Sequence, residues 1–139
     1  MKLKLIVSIC LLNFAAGFAQ KNIDFFQLSN KWSEGKINAA GQVVQGSMPR
    51  GGWYSLQMGS DSSVTFFGAS NCGLGHKRIG TWRLNKSDST VCFLYKEQIA
   101  YSVQISEPVS EVEVYKITKV TANELILKKA GQVWAFISE

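Results

Sequence analysis

Residues 79–97, IGTWRLNKSDSTVCFLYKE, constrain the fold more than any other stretch, because they encode a complete antiparallel hairpin. The polar centre, residues 85–90, consists of residues whose side chains bond to nearby backbone, which is typical of a turn. Alternation on the two sides then predicts one large apolar face made of three cross-strand pairs: Leu84 with Val91, Trp82 with Phe93, and Gly80 with Tyr95. The opposite face takes Thr81, Arg83, Cys92 and Leu94. A slip of one residue would put Arg83 in place of Trp82, so the register is well specified.

Similar alternation predicts strands on both sides of this hairpin. In residues 111–120 the alternation changes phase after Val114, so we expect a β-bulge near that residue. Residues 21–31 fit one or two helical turns, which are too short to be stable unless they pack on the rest of the chain. The other predicted strands are residues 32–37, 53–58, 63–67, 99–105, 124–128 and 132–137.

About eight short strands in sequential hairpins predict an all-β fold, an antiparallel up-and-down meander. Closing such a sheet into a barrel removes its exposed edges. A barrel of about eight strands has an interior that is filled by side chains or that holds one small ligand. Two glycine-rich stretches interrupt the meander, and we interpret residues 38–52 and 68–78 as long loops, the first with a short extended piece at Val43 and Val44.

The first 19 residues have the pattern of a signal peptide. Lys2 and Lys4 precede an apolar run that is too short to span a bilayer, and small residues follow at 17–19. We therefore expect export to the periplasm or the cell exterior, with a mature chain that starts at Gln20 and forms one domain, residues 20–139. Cys10 lacks the preceding small residue that a lipoprotein signal requires.

The charge of the chain argues against nucleic acid as a partner. Removal of Lys2 and Lys4 lowers the formal net charge from +5 to +3, and the remaining basic residues are scattered. Nucleic-acid binding would call for a stripe of Lys and Arg with stacking aromatic rings. No second apolar segment in the sequence has the length of a membrane span.

Three segments of the sequence together resemble the small secreted lipocalin-like domain proteins of bacteria. They are Trp32-Ser33-Glu34-Gly35, the hairpin strand Gly80-Thr81-Trp82-Arg83-Leu84, and the late run YKITKVTANELIL at residues 115–127. The late hairpin is the most specific of the three. The resemblance implies a calyx-type barrel and little about chemistry, since most such proteins have no assigned activity.

Catalytic and metal chemistry finds weak support in the residue types. Cys72 and His76 could form a nucleophile pair, but no third orienting group is apparent. Cys92 would add a third metal ligand to these two, yet it lies far along a strand from both. That distance also makes a Cys72–Cys92 disulfide doubtful, although export would permit one. Glu111 and Glu113, two residues apart, are typical of a solvated strand face, so we expect no catalytic residues, metal or cofactor.

An aromatic interior is the strongest pointer to function. Alternation places six rings inside the barrel, and we predict a site for a small apolar ligand between four of them: Tyr54, Trp82, Tyr95 and Tyr101. Rings of this size leave little space, so the interior is expected to be packed rather than widely hollow. The leading hypothesis is a non-enzymatic exported binding protein. The alternatives are a protein–protein interaction module of the cell envelope, with a packed barrel as scaffold, and, least favoured, a thiol enzyme using Cys72 and His76.

Overall fold

The described part of the chain forms one short helix and nine β-strands. The computed structural model describes residues 23–46, 53–69 and 75–139. In chain order the elements are α1 (Phe25–Leu28), β1 (Lys31–Ile37), β2 (Val43–Gln45), β3 (Trp53–Met58), β4 (Ser63–Ala69), β5 (Gly75–Asn85), β6 (Thr90–Ala100), β7 (Ile105–Val120), β8 (Glu124–Lys129) and β9 (Gln132–Ser138).

Eight of the strands close into a barrel. From β3 to β9 each strand pairs with the next one in the sequence, and β1 pairs with both β3 and β9. Ser33 lies at the closure, opposite Ser55 on β3 and Ile137 on β9. The predicted fold class, an antiparallel up-and-down meander of about eight strands closed into a barrel, is confirmed.

The ninth strand, β2, pairs only with β1 among the described residues. Val43 packs with Ile126 and Ala135, and its backbone N–H donates to Glu124 Oε1 at 2.7 Å. The short extended piece predicted at Val43 and Val44 is confirmed. It covers the outside of β8 and β9.

The β5–β6 hairpin has the register that alternation predicts. Trp82 lies opposite Phe93, Leu84 opposite Val91 and Gly80 opposite Tyr95. The register shifts between Ile79 and Gly80, where β6 carries an extra residue. A Cβ atom on Gly80 would lie 1.9 Å from the carbonyl oxygen of Leu94, so only glycine fits at this bulge.

The prediction of a strand over residues 99–105 is wrong. Strand β6 continues to Ala100, residues 101–104 form a turn, and β7 begins at Ile105 opposite Ala100. Gln104 takes a left-handed conformation, φ 53°, and its N–H bonds to the Ala100 carbonyl, which reverses the chain. The end of one strand and the start of the next together imitate a single alternating strand.

The bulge predicted near Val114 is also wrong. Val112 and Val114 point outward, with 63% and 51% of their surface exposed. Strand β7 has two register shifts, one against Tyr95 and Glu97 of β6 and one between Ile117 and Lys119 against β8. The pairing with β6 determines which residues of β7 face inward. Glu113 lies opposite Phe93 and Glu111 opposite Tyr95, so the two glutamates share the inner face.

The two ends of the barrel differ. At one end α1 packs across the opening: Leu28 is fully buried, and its carbonyl accepts a hydrogen bond from Trp32 Nε1 at 3.0 Å. Phe25 stacks on Trp82, with ring centroids 4.2 Å apart. We call this the sealed end. The opposite end, where β6 turns into β7 and β8 into β9, is called the barrel mouth.

Several predicted features lie outside the described residues or have shifted. The signal peptide, residues 1–19, and Cys72 belong to stretches that the structure does not describe. The predicted loop 68–78 is shorter than expected, because Gly68 and Ala69 end β4 and residues 75–78 begin β5. Within the described ranges, no helix has the length and apolarity needed to cross a membrane.

Candidate ligand-binding site at the barrel mouth

The centre of the barrel is filled by side chains. The cavity between these rings and aliphatic groups measures about 10 Å³ and is lined by Leu56, Phe66, Phe93, Tyr95, Tyr115, Leu127, Trp134 and Phe136. Such a volume holds about one water molecule. The packed interior that ring size predicts is confirmed here, and an apolar ligand does not fit inside this cavity.

The structure brings two of the four predicted site residues together near the mouth. Tyr54 lies 6.4 Å from the Phe66 ring, and Phe66 and Tyr95 flank the same arginine, Arg78. Trp82 is buried as predicted, but at the sealed end, where its Nε1 donates to the Gly59 carbonyl at 2.9 Å. The predicted interior position of Tyr101 is wrong: this residue lies in the β6–β7 turn and packs edge-on against Phe67 at 4.8 Å.

Arg78 is the central residue of the mouth. It lies on β5 two positions before Gly80, so the period of two turns its side chain inward. The guanidinium carbon lies 4.3 Å from the centre of the Tyr95 ring and 4.9 Å from that of Phe66, and 13% of the side chain is exposed. A cation held against aromatic faces in this way is stabilised by their quadrupoles.

Two glutamates of β7 bind the Arg78 guanidinium. Nη1 donates to Glu111 Oε2 at 3.2 Å and Nη2 to Glu113 Oε2 at 3.5 Å. Glu113 also accepts from Lys129 Nζ at 3.0 Å and from the Tyr115 hydroxyl at 2.9 Å. We call these five residues, Arg78, Glu111, Glu113, Tyr115 and Lys129, the arginine cluster. Its two cations balance its two carboxylates.

Glu111 and Glu113 therefore do not form the solvated face that the sequence suggested. Glu113 is mostly buried, whereas Glu111 keeps half of its side chain exposed at the mouth. The prediction failed because β7 presents valines on one parity and glutamates on the next, and apolarity alone favoured the valines as the inner set.

The pKa values show how the cluster holds its charges. Burial alone would raise the pKa of Glu113, but the hydrogen bonds from Lys129 and Tyr115 and the charge of Arg78 outweigh it and lower the pKa below its ordinary value. Burial raises the pKa of Tyr95 and of Tyr115, and the latter gains further from the neighbouring Glu113. At neutral pH, Glu113 is thus ionised and both phenols keep their protons.

Tyr54 lies beside the arginine cluster, in an aromatic wall that it forms with Phe66, Trp134 and Phe136. Its ring meets Trp134 edge-on at 4.9 Å and Phe136 at 5.1 Å, and its hydroxyl donates to the Ala135 carbonyl at 3.3 Å. Burial, with the charge of Glu34 nearby, raises the pKa of Tyr54 to about 12. The wall therefore offers neutral rings at every physiological pH.

Two buried hydrogen-bond donors at the mouth have no acceptor in the described part of the protein. They are Nε of Arg78 and Nε1 of Trp134. Buried polar groups are paired in the great majority of native structures, and an unpaired donor costs free energy. Both side chains adjoin the ring of Phe66, since Trp134 meets it edge-on at 6.2 Å. Each of these N–H groups can donate a hydrogen bond to an oxygen or nitrogen atom of a ligand.

The inward position of Arg78 follows from the sequence pattern, but it was missed because residues 68–78 were interpreted as a loop. Extending the inner parity of Trp82 and Gly80 back by two residues reaches Arg78, but the surrounding glycines made residues 68–78 look like a loop. Trp134 could have been placed in the same way, from its parity with Phe136.

The other predicted chemistry involves Cys72, His76 and Cys92. Cys92 is half-buried on the outer face, between Arg83 and Val114, and has no disulfide partner among the described residues. His76 is exposed, and its ring centroid lies 6.4 Å from that of Phe66. The Cys72–Cys92 bridge and the Cys72–His76 pair depend on a residue that the structure does not describe. Among the described residues, no group of three or more His, Cys, Asp or Glu could hold a metal ion.

Comparison with known proteins supports the fold. No protein-family model matches the sequence, and no curated protein sequence matches it. A solved structure, a lipocalin-like protein from Bacteroides uniformis ATCC 8492, superposes with a TM-score of 0.52 at 14% sequence identity. The match covers 81% of this chain and 99% of the other. At this identity the likeness shows a lipocalin-like barrel and leaves the ligand and activity open.

Proposed function

We propose that this lipocalin-like barrel is an exported, non-enzymatic protein that binds one small, largely apolar molecule at the barrel mouth. The observation that carries the proposal is a largely buried arginine stacked on Phe66 and Tyr95, with one donor on Arg78 and another on Trp134 that have no acceptor among the described residues. Binding sites of this kind combine apolar walls with a few placed polar groups.

The mouth suits this role better than the barrel centre. The cavity among the central rings has room for about one water molecule, at about 10 Å³. At the mouth, Tyr54, Phe66 and Trp134 offer ring surface beside the arginine cluster. The site thus keeps Tyr54 and Tyr95 of the four predicted residues and replaces Trp82 and Tyr101 by Arg78 and Trp134.

The state of the carboxylates favours binding over catalysis. Glu113 is held ionised by its three hydrogen-bonded partners, so it does not resemble a carboxylic acid poised to give up a proton near neutral pH.

Export rests on the composition of residues 1–19. Expression of the full chain in a host that secretes through signal peptides, followed by N-terminal sequencing of the processed protein, tests it. We expect the mature chain to start at Gln20. A chain that keeps its first residues and stays in the cytoplasm would contradict export.

Ligand binding is tested on the purified mature chain. Native mass spectrometry looks for a co-purified molecule, and tryptophan fluorescence follows titration with fatty alcohols, aromatic amides and aromatic acids. We expect a saturable response that Trp134→Ala abolishes and that Tyr101→Ala, in the outer turn, leaves unchanged. No co-purified molecule and no response, or equal responses in both variants, would reject the mouth as the site.

A second function, protein–protein interaction, is favoured by a different observation. Leu94, Val112 and Val114 face outward side by side and border a groove of about 780 Å³ on the outside of β5, β6 and β7. A partner seated there would be lost in Val112→Lys and retained in Trp134→Ala, as measured by affinity capture from a cell-envelope fraction. The opposite pattern would exclude this surface.

A further inference from the structure

We propose that the barrel mouth selects a neutral ligand that carries a planar hydrogen-bond acceptor, such as an aromatic amide or ketone, over a carboxylate of the same shape. This inference rests on the proposed binding function and assigns it a ligand class. It follows from the balance of charges and of donors around Arg78.

The positive charge of Arg78 is already matched. Nη1 and Nη2 each face a glutamate, and Lys129 adds its charge to Glu113, so two cations meet two carboxylates. A ligand carboxylate would be the third anion in the cluster and would have to displace Glu111 or Glu113 or lie close to both. Like charges in a partly buried site oppose each other strongly, and the ligand would also lose its hydration.

The two donors that lack acceptors in the described part of the chain favour a different ligand group. Arg78 Nε and Trp134 Nε1 are buried N–H groups that need acceptors. The acceptor does not have to be negatively charged, because the glutamates already balance the charge of Arg78. A carbonyl oxygen is an acceptor without net charge, so it can accept from either donor without adding an anion beside the glutamates.

The aromatic walls define the rest of the ligand. Tyr54 and Trp134 meet edge-on, and Phe66 approaches Trp134 at a steep interplanar angle of 82°. Rings at such angles present both faces and edges, which a flat apolar body can contact by offset stacking. Arg78 and Trp134 both keep some exposed surface, so modest side-chain shifts open their donors to a molecule that arrives from the mouth.

Two probes with the same ring, one a neutral amide and the other a carboxylate, test the selection. Naphthalene-2-carboxamide and 2-naphthoate have the same ring and nearly the same size, and their dissociation constants are measured by calorimetry at pH 7.5. We expect the amide to bind at least about tenfold more tightly, since a buried like charge outweighs one hydrogen bond.

Two variants separate the reasons for this preference. Glu111→Gln removes the half-exposed carboxylate beside Arg78, so we expect naphthoate to bind about tenfold more tightly to it than to the wild type. Trp134→Phe keeps an aromatic ring but removes one donor, so we expect amide binding to weaken about fivefold to tenfold. Trp82→Phe, which loses a donor at the sealed end, is the matched control and should change neither constant.

The outcomes distinguish selection of a neutral ligand from ligand binding at the mouth, on which the selection rests. Naphthoate binding as tightly as the amide to the wild type, or unaffected by Glu111→Gln, overturns the selection and leaves mouth binding in place. If neither probe binds and no molecule co-purifies, both the selection and the binding function fail.

Discussion

Arg78 shows, at the scale of a single residue, how one inward-facing cation organises the end of a barrel. An unpaired guanidinium at this depth would be strongly unfavourable, and two glutamates and two aromatic faces offset that cost. The same contacts fix the direction of the guanidinium, which leaves Nε as its one buried donor without an acceptor among the described residues. A binding group held in one geometry loses less entropy when a ligand arrives.

Glu113 should make the stability of the protein depend on acid. Its pKa is lowered in the folded state from an ordinary value of 4.5, so its stabilising effect is complete above about pH 4.5. That contribution is lost as the pH falls through the lower, folded-state pKa. We expect Glu113→Gln to be about 2 kcal/mol less stable at pH 7, because Arg78 and Lys129 lose a charged acceptor. Urea unfolding at several pH values measures the effect.

The difference between wild type and Glu113→Gln should shrink below pH 4.5, where the wild-type carboxylate takes up its proton. Glu107→Gln, on an exposed part of β7, is the control and should leave the unfolding free energy at pH 7 unchanged within about 0.5 kcal/mol. A constant difference between wild type and Glu113→Gln at all pH values would argue against the lowered pKa.

Gly80 is the residue on which the hairpin register depends. A methyl group there would overlap the Leu94 carbonyl, at 1.9 Å, and would force β5 away from β6. We expect Gly80→Ala to lower the unfolding free energy by about 3 kcal/mol or more, as measured by urea denaturation. Thr81→Ala, at the exposed neighbour, is the control, and equal losses in the two variants would contradict a tight bulge.

At the scale of elements, the β8–β9 hairpin has a turn that its sequence suits only in part. Ala130 and Gly131 both have positive φ, 49° and 79°, as a two-residue type I′ turn requires. Alanine resists this conformation, whereas asparagine adopts it readily. We expect Ala130→Asn to raise the unfolding free energy by about 0.5–1 kcal/mol in thermal or urea denaturation.

Gly131→Ala provides the opposite test. No atom lies within 4 Å of the Cβ that this change would add, so any loss comes from the backbone conformation alone. We expect a loss of about 1 kcal/mol. A gain from this change, or a loss from Ala130→Asn, would show that the turn has another geometry.

Local pattern predicts an element well where one parity is clearly apolar. In β5–β6 the aromatic and aliphatic residues share a parity and the turn is polar, so every pair from Leu84 to Tyr95 could be assigned. In β7 both parities mix apolar and charged residues, and only the pairing with β6 decides that Glu113 faces inward. That information lies in the neighbouring strand and is absent from the segment itself.

The site was harder to predict than the fold for the same reason. Tyr54 and Tyr95 follow from alternation, but Tyr101 was misplaced because the β6–β7 turn falls inside an alternating run. Arg78 lies at the start of a strand among glycines, and its significance comes from two glutamates on β7 that are 33 and 35 positions away in the chain. A preference for apolar interiors cannot find a polar cluster of this kind.

At the scale of the whole molecule, the closed barrel has one sealed end and one end that carries the polar cluster. Closure through β1 and β9 leaves no free edge in the ring of eight strands, so the ends are the places where function can differ. The sealed end is apolar and is held by α1, through Leu28 and through the stack of Phe25 on Trp82. We infer that α1 acts mainly as a stabilising plug and that the mouth is the end adapted to binding.

Two residues of the same helix test the plug. Leu28 is fully buried, whereas Phe26 is 74% exposed. Truncation of a buried leucine loses its transfer free energy and leaves a cavity, so Leu28→Ala should lower the unfolding free energy by about 3 kcal/mol. Phe26→Ala should change it by less than about 0.5 kcal/mol, because its ring makes few contacts to lose. Chemical denaturation followed by circular dichroism measures both.

Because the mouth is built by other strands, a folded Leu28→Ala protein should keep the wild-type preference for naphthalene-2-carboxamide over 2-naphthoate. Equal losses from the two substitutions, or a change in that preference, would mean that α1 is more than a plug.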